Sequence, residues 1–237
     1  MTDGLDRGAG KPVGRRVFLA TIGLGAAAVA AAPALRRGWD AGLSAVAEHD
    51  PTSLSGLVPS SGGFRYFSVV GSVPHKDAVS YRLDIGGLVD RPATYTLDML
   101  AALPQTTVTH DVVCTDGWQV EQVPFEGVLL SDLLDAAGVQ EKGTAVRFTC
   151  FDGAYSESLT LEQARRRDVL VATRMQGEPI AHVSGGPVRL YVAPMYFYKS
   201  AKWLSGIEVT STVRPGYWEE YGYPVDGWLP GEEPVDG

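Results

Sequence analysis

Cysteine and histidine are scarce in this chain of 237 residues, which has two cysteines and four histidines. Two cysteines are too few for a disulfide scaffold or for a zinc site made of protein ligands alone. The histidines lack the spacing of a metal site, and no phosphate-binding glycine loop, dinucleotide fingerprint or serine hydrolase signature is present. The sequence therefore argues against the commonest metalloprotein, nucleotide-binding and hydrolase classes.

Positive charge is also in short supply beyond the N-terminus. Residues 1–37 carry six basic and two acidic side chains, whereas residues 38–237 carry 14 basic and 26 acidic ones, a net charge of −12. A body this acidic repels phosphate backbones, so we expect no nucleic-acid partner. Hydrophobic residues make up 45% of the chain, with 28 glycines and 15 prolines, which is typical of a globular protein with many turns.

The N-terminal segment has the pattern of an export signal. Arg15 and Arg16 precede an 18-residue uncharged stretch, residues 17–34, which is rich in Ala and Gly and closes on Ala32-Pro33-Ala34. Paired arginines before a weakly apolar segment predict a twin-arginine signal, a route for proteins that fold before export. The alternative is an uncleaved anchor, because 18 residues can just span a bilayer. Both interpretations predict a body outside the cytoplasmic membrane.

The remaining chain predicts a strand-rich α+β fold with short helices. We divide the chain into a signal peptide (1–34), a linker (35–62), a folded body (63–213) and an aromatic, acidic tail (214–237). The tail can pack on the body or dock a partner. The predicted strands are 81–87, Thr106–Cys114, Thr144–Cys150, Tyr155–Leu159, Val169–Arg174, Pro187–Ala193 and Trp203–Thr210, and the predicted helices follow Thr96, span Val128–Ala137 and begin with a capping box at Thr160–Gln163.

Cys114 lies where a predicted strand ends and a polar loop begins, with Asp116 two residues further on. Such a loop is a common place for a functional group held by a rigid scaffold. The other interpretation is a buried small hydrophobic residue. A Cys114–Cys150 disulfide is also chemically possible outside the cytoplasm.

A basic segment stands out within the acidic body. Gly185 and Gly186 permit close backbone approach, and Arg189, Lys199 and Lys202 add cationic donors. The pattern fits a seat for a phosphate or another anion, or else a basic strand edge that blocks aggregation.

Seven ordered segments carry a family resemblance over residues 64–223. They are Phe64–Ser68, Ile85–Pro92, Cys114–Trp118, Val146–Gly153, Gly185–Arg189, Tyr198–Trp203 and Pro215–Glu219. Together they resemble the sulfite oxidase family of molybdopterin enzymes, especially its short bacterial members. The resemblance implies the compact mixed α+β fold of that family and a Mo-molybdopterin cofactor, which a twin-arginine signal suits.

The resemblance also implies roles for individual residues. Cys114 would give its thiolate to molybdenum, with further sulfur ligands from the pterin, and Asp116 would be a carboxylate near the metal that relays protons. The positions that match pterin and phosphate contacts are Phe67, Ser68, Cys150, Ser184, Arg189, Ser200 and Lys202. The chain departs from the family pattern at Phe64, where the methionine sulfoxide reductase branch has asparagine, and at Ser184 and Phe197.

The resulting expectation is an exported molybdenum oxidoreductase that transfers an oxygen atom, with electrons exchanged with a separate b-type or soluble cytochrome. The ten residues after Cys114 contain Asp116 and Glu121 but no Lys or Arg, which favours a neutral S-oxide or N-oxide over the sulfite dianion. We expect a monomer that meets the membrane only through a partner or an uncleaved signal. The alternatives are a sulfite-oxidising enzyme and a non-enzymatic domain that binds an anion or a partner.

Overall fold

The computed structural model describes residues 34–47, 50, 58, 60 and 62–234. The predicted signal lies outside these residues except for Ala34. Helix α1 covers residues 34–47, all but the first of which belong to the segment predicted as a linker, and most of its side chains are exposed. The sequence pattern does not predict this helix because Gly38 and Gly42 lie inside it, and glycine lowers helix propensity.

Ten strands and three further α-helices follow in the described chain. The strands are β1 (Leu83–Gly87), β2 (Ala93–Tyr95), β3 (Thr106–Val113), β4 (Gln119–Leu129), β5 (Ala145–Cys150), β6 (Ser156–Thr160), β7 (Val169–Met175), β8 (Glu178–Pro179), β9 (Arg189–Val192) and β10 (Leu204–Thr210), and the helices are α2 (Leu97–Ala102), α3 (Leu130–Ala137) and α4 (Leu161–Ala164). Among the described helices, none has the length and apolar character that crossing a membrane requires.

The strands form two five-stranded sheets. The first has the order β2-β1-β10-β5-β6, in which β1 and β10 are parallel and the other pairs antiparallel. The second has the order β3-β4-β7-β8, with β9 also paired to β7, and all its pairs are antiparallel. The predicted strand-rich α+β fold is confirmed.

Strand β7 is shared by two hydrophobic cores. Its first four residues, Val169–Ala172, are a continuous apolar run, and successive side chains of a strand point to opposite faces. Val169 and Val171 belong to the larger core, whereas Leu170 and Ala172 belong to a smaller one. Because both faces of β7 are covered over these four residues, this part of the strand is apolar without alternation.

The predicted helix boundaries are largely confirmed by their capping residues. The Thr96 side chain accepts from the Met99 amide, and Thr160 and Gln163 form the reciprocal capping box. Gly138 ends α3 with a φ of 71°, a left-handed conformation that glycine adopts readily. The predicted start of α3 at Val128 is wrong, because Val128 still pairs with β7 as part of β4.

Strand β4 is missing from the predicted elements. Pro124 lies in its middle and has no amide hydrogen for a sheet ladder, so the sequence argues against a central strand there. The structure nevertheless pairs β4 with both β3 and β7. The turn between β3 and β4 is therefore a tight hairpin loop, and this loop contains Cys114.

The predicted tail folds back on the body. Residues 216–229, which we call the C-terminal strap, are tied to it by backbone hydrogen bonds from Tyr217 to Ser156 and from Leu229 to Pro194. The strap also brings Glu219 into a buried cluster with Lys199 and Glu157. Lys199 Nζ lies 2.7 Å from a carboxylate oxygen of Glu219 and 2.5 Å from one of Glu157. The tail therefore packs on the body over these residues.

This cluster predicts how stability depends on pH. Burial raises the pKa of the Glu157 carboxyl from 4.5 to about 8; Lys199 opposes this rise and Glu219 adds to it. Between these two values the folded protein holds a proton that the unfolded chain releases. The contribution of the Glu157 proton to the stability of the folded protein is therefore complete below about pH 4.5 and is lost as the pH rises to about 8.

We expect the Tm of the wild-type protein to fall over this range more steeply than that of Glu157→Gln, since glutamine does not titrate. Thermal unfolding followed by circular dichroism measures both profiles. Identical slopes in the two proteins would contradict the assignment of the proton to this cluster.

Candidate cofactor site

A cavity of about 500 Å³ lies where several strand ends meet. Its volume is typical of small-molecule and cofactor sites, which span about 300–1,000 Å³. Half of its sixteen lining residues are aromatic, although aromatic residues make up 9% of the chain. These are Phe67, Trp118, Tyr155, Phe197, Tyr198, Trp203, Trp218 and Tyr223. Flat apolar walls of this kind suit a planar heterocyclic ligand.

The Cys114 loop closes the hairpin between β3 and β4. The Cys114 amide donates to the Trp118 carbonyl at 2.9 Å, and the Gly117 amide donates to the Cys114 carbonyl at 3.1 Å. Gly117 has a φ of 82°, which a side chain would disfavour. This tight turn directs Cys114, Thr115, Asp116 and Trp118 to the cavity wall.

The Cys114 thiol is paired with the nearest carboxylate. Its Sγ donates to Asp116 Oδ2 at 3.7 Å. Burial, followed by the charge of Asp116, raises the pKa of the Cys114 thiol, whereas a hydrogen bond from the Asp116 backbone opposes the rise. A thiolate at this position therefore needs a cation beside it, and a metal ion supplies such a charge.

Three aromatic rings pack against one another at the Cys114 loop. Phe64, Trp118 and Phe197 form a triangle with centroid separations of 5.9, 6.1 and 6.2 Å. Phe64 and Phe197 are two of the positions where the chain departs from the family pattern. Because the rings of Phe64 and Phe197 pack against each other, these two departures form one hydrophobic cluster.

Arg189 fills the base of the cavity and is 2% exposed. Its two terminal nitrogens donate to the carbonyls of Ser184 and Ser200 at 2.7 and 2.6 Å. The guanidinium lies 4.2 Å from the centre of the Phe197 ring, within cation-π distance. Burial lowers the pKa of Arg189 to about 9, so the side chain stays charged at neutral pH.

Lys202 is the second of the predicted cofactor-binding cations that line the cavity. Its Nζ donates to the carbonyls of Phe67 and Val183 at 2.9 and 3.1 Å. A Cβ atom on Gly185 would lie 2.7 Å from the Lys202 side chain, so the predicted close approach at this glycine is present. Burial, and then repulsion by Arg189, lower the pKa of Lys202 to about 7. An anion in the cavity would raise this pKa again.

Lys199 does not line the cavity, so the prediction that its ammonium donates to a bound anion is wrong. Its ammonium is fully buried and bound to Glu157 and Glu219. The alternative of an exposed basic strand edge is also wrong, because Arg189 lies inside the protein. The basic segment faces inward and supplies Arg189 and Lys202 to the cavity.

Four residues predicted to bind the cofactor have side chains that do not line the cavity. The Ser68 hydroxyl donates to the Ser72 carbonyl. Ser200 accepts from the Val192 amide, and the Ser184 carbonyl is taken by Arg189. Cys150 lies in the larger core, and it and Cys114 are both free thiols. None of these four residues is among those that line the cavity.

The cavity also contains residues that were not among the predicted cofactor contacts. Arg65 lines it, and no described residue accepts a hydrogen bond or forms an ion pair with its guanidinium. Tyr155 and two strap residues, Trp218 and Tyr223, complete the aromatic wall. Arg65 could have been predicted as a site residue from the sequence, because it lies inside one of the seven family segments. The contacts of Trp218 and Tyr223 with the cavity depend instead on how the tail folds back on the body.

The donor set fits a cofactor that brings its own metal ligands. Among the described residues there is no group of three or more His, Cys, Asp or Glu side chains able to hold a metal ion. One thiol at Cys114 would bind a soft metal only if a cofactor supplied other soft ligands. The cations Arg189 and Lys202 suit the phosphate of such a cofactor.

A thiol, aromatic walls and a cationic base in one cavity are the features that a site for a metal-bearing, anionic cofactor requires. Residues 70–218 match the family model of the oxidoreductase molybdopterin binding domain. The chain belongs to this family, and the predicted enzyme class and Mo-molybdopterin cofactor are confirmed.

Two relatives illustrate the range of the family. The uncharacterized oxidoreductase YuiH of Bacillus subtilis (strain 168) is 34% identical over 158 residues, which cover 66% of this chain and 79% of the relative. The putative protein-methionine-sulfoxide reductase subunit YedZ1 of Azospira oryzae is 30% identical over 179 residues, covering 73% of this chain and 68% of the relative.

The crystal structure of the sulfane dehydrogenase SoxCD from Paracoccus pantotrophus has the same fold. The TM-score is 0.58 at 23% sequence identity, over 69% of this chain and 46% of the SoxCD chain. The protein thus spans less than half of that longer chain, and this likeness concerns the fold alone.

Removing the Arg189 charge should destabilise the protein. In Arg189→Met the buried Ser184 and Ser200 carbonyls lose their donor, and each unsatisfied group costs about 1–3 kcal/mol. We expect the Tm to fall by roughly 5–15 °C. In the control Arg165→Met, which removes an exposed pair with Asp135, we expect a change below about 3 °C. Equal losses in the two variants would contradict a satisfied buried guanidinium.

Proposed function

We propose that the protein is an exported molybdenum oxidoreductase that reduces a neutral S-oxide or N-oxide by oxygen-atom transfer. The observation that carries this proposal is the Cys114 thiol at the wall of a cavity whose other features suit an anionic planar cofactor. When bound, the Mo-molybdopterin cofactor supplies two-electron oxygen-atom exchange. The residues of this chain bind it, shape the substrate space and handle protons.

Cys114 is the proposed protein ligand of molybdenum. Arg189 and Lys202 would provide charge for the pterin phosphate, and Phe67 would contribute through its ring at the cavity wall. Ser68, Cys150, Ser184 and Ser200 are proposed contacts only through their backbones, because their side chains do not line the cavity. These assignments rest on the family resemblance together with the distribution of charge around the cavity.

Asp116 is the proposed proton carrier. Reduction of an oxide to water and the parent compound consumes two protons and two electrons. The Asp116 carboxylate is exposed to solvent and lies 3.7 Å from Cys114 Sγ, so it can hold a proton at Oδ2 beside the reacting centre. The electrons would come from a separate b-type or soluble cytochrome, whose basic surface would suit the acidic body.

The aromatic walls favour a neutral substrate with apolar substituents. Phe197 and Trp118 face the cavity beside Cys114, where a polar residue would be needed to bind a small anion. The similarity to a putative protein-methionine-sulfoxide reductase subunit agrees with a sulfoxide. Export by the twin-arginine route is the proposed localisation, on the basis of residues 1–34.

Sulfite oxidation is the second candidate, and Arg65 favours it. A guanidinium in the cavity that pairs with none of the described residues is a suitable partner for a substrate dianion. Sulfite-dependent reduction of cytochrome c and viologen-dependent reduction of methyl phenyl sulfoxide by the purified protein distinguish the two reactions. We expect the sulfoxide rate to dominate and Arg65→Gln to change its kcat/KM by less than about three-fold. A dominant sulfite rate that collapses in Arg65→Gln would establish the second candidate.

Replacing Cys114 tests the metal site directly. In Cys114→Ser we expect molybdenum to be lost or the sulfoxide rate to fall by about 100-fold or more, because the thiolate ligand is gone. Elemental analysis and fluorescence of the oxidised pterin measure both components per protein. In Cys150→Ala we expect normal contents, since that thiol lies in the core. A folded wild-type protein without metal or pterin would instead support the non-enzymatic binding domain.

A further inference from the structure

Lys199 joins two parts of the chain that are distant in sequence. Its fully buried Nζ lies 2.5 Å from Glu157 Oε1 and 3.0 Å from the Ser158 carbonyl, both on β6. It also lies 2.7 Å from Glu219 Oε1 and 2.8 Å from the Val225 carbonyl, both on the C-terminal strap. One cation therefore bridges the body and the strap.

Neighbouring contacts hold the same part of the strap. The Tyr198 hydroxyl donates to the Pro224 carbonyl at 2.5 Å, and the Tyr196 amide donates to the Gly227 carbonyl at 2.8 Å. Gly227 has a φ of 60°, and a Cβ there would lie 2.7 Å from the Tyr198 hydroxyl and 2.9 Å from Lys199 Cγ. Only glycine lets the strap approach the lysine this closely.

The strap in turn supplies part of the cavity wall. Trp218 and Tyr223 line the cavity, and their ring centroids are 5.2 Å apart. Trp218 lies 5.9 Å from Phe67, and Tyr223 lies 5.3 Å from Tyr198, which also lines the cavity. The positions of these two rings therefore depend on where the strap lies on the body.

We propose that Lys199 is a positioning residue that latches the strap onto β6, so that Trp218 and Tyr223 complete the aromatic wall of the cavity. The latch is strong because a buried cation and two buried carboxyl groups are costly to separate. The family match ends at residue 218, so most of the strap lies beyond it. The effect of the latch on substrate rests on the proposed function, whereas its effect on the strap does not.

Hydrogen–deuterium exchange of the purified, cofactor-loaded protein tests the latch. In Lys199→Met we expect peptides covering residues 216–229 to exchange about ten-fold faster or more, with peptides of β1 and β10 unchanged. Gly227→Ala should give the same local pattern with all charges retained, so it tests the latch even where Lys199→Met does not fold. Lys142→Met, which removes an exposed lysine, is the matched control and should behave as the wild type.

Turnover of methyl phenyl sulfoxide gives the second readout. With the wall loosened, we expect KM to rise several-fold and kcat to stay within about two-fold in Gly227→Ala. If neither the wild type nor any variant reduces the sulfoxide, the proposed function is contradicted. The hydrogen–deuterium exchange result then still decides whether Lys199 latches the strap. Unchanged protection of the strap, or equal loss of protection throughout the protein, would overturn the proposal.

Discussion

The cavity depends on the buried guanidinium of Arg189. A charge this deep in the protein must be satisfied, and it is satisfied by the carbonyls of Ser184 and Ser200, on the turns before and after β9. Those turns cannot separate without leaving polar groups unpaired. Phe197 stacks on the guanidinium and packs against Trp118, so the constraint extends through ring contacts to the loop that presents Cys114.

The distribution of charge distinguishes the cavity from the rest of the molecule. The body is strongly acidic, yet three of its cations, Arg65, Arg189 and Lys202, line one cavity. Basic side chains so placed attract an anionic cofactor inward while the outer surface stays negative. Burial, and then repulsion by Arg189, lower the pKa of Lys202, and a bound phosphate would offset both effects.

The sequence predicted the fold class, most elements and the position of Cys114, because these follow from local patterns: alternation, capping residues and a strand-end loop. It missed β4, where Pro124 obscures a central strand. It also placed Lys199 in the anion site, since nothing local reveals that Glu157 and Glu219 meet this lysine across 42 and 20 residues of chain. Contacts made by tertiary packing, such as Trp218 at the cavity, are beyond local patterns. The family resemblance supplied the cofactor, which composition and spacing alone do not specify.

The central claim is that Cys114 gives its sulfur to a molybdenum ion held in this cavity. Molybdenum K-edge X-ray absorption of the purified wild-type protein and of Cys114→Ser counts the sulfur neighbours of the metal in each. The account predicts one more sulfur per molybdenum in the wild type than in the variant. Equal sulfur counts in two proteins of equal molybdenum content would contradict it and leave Cys114 as a residue of the cavity wall alone.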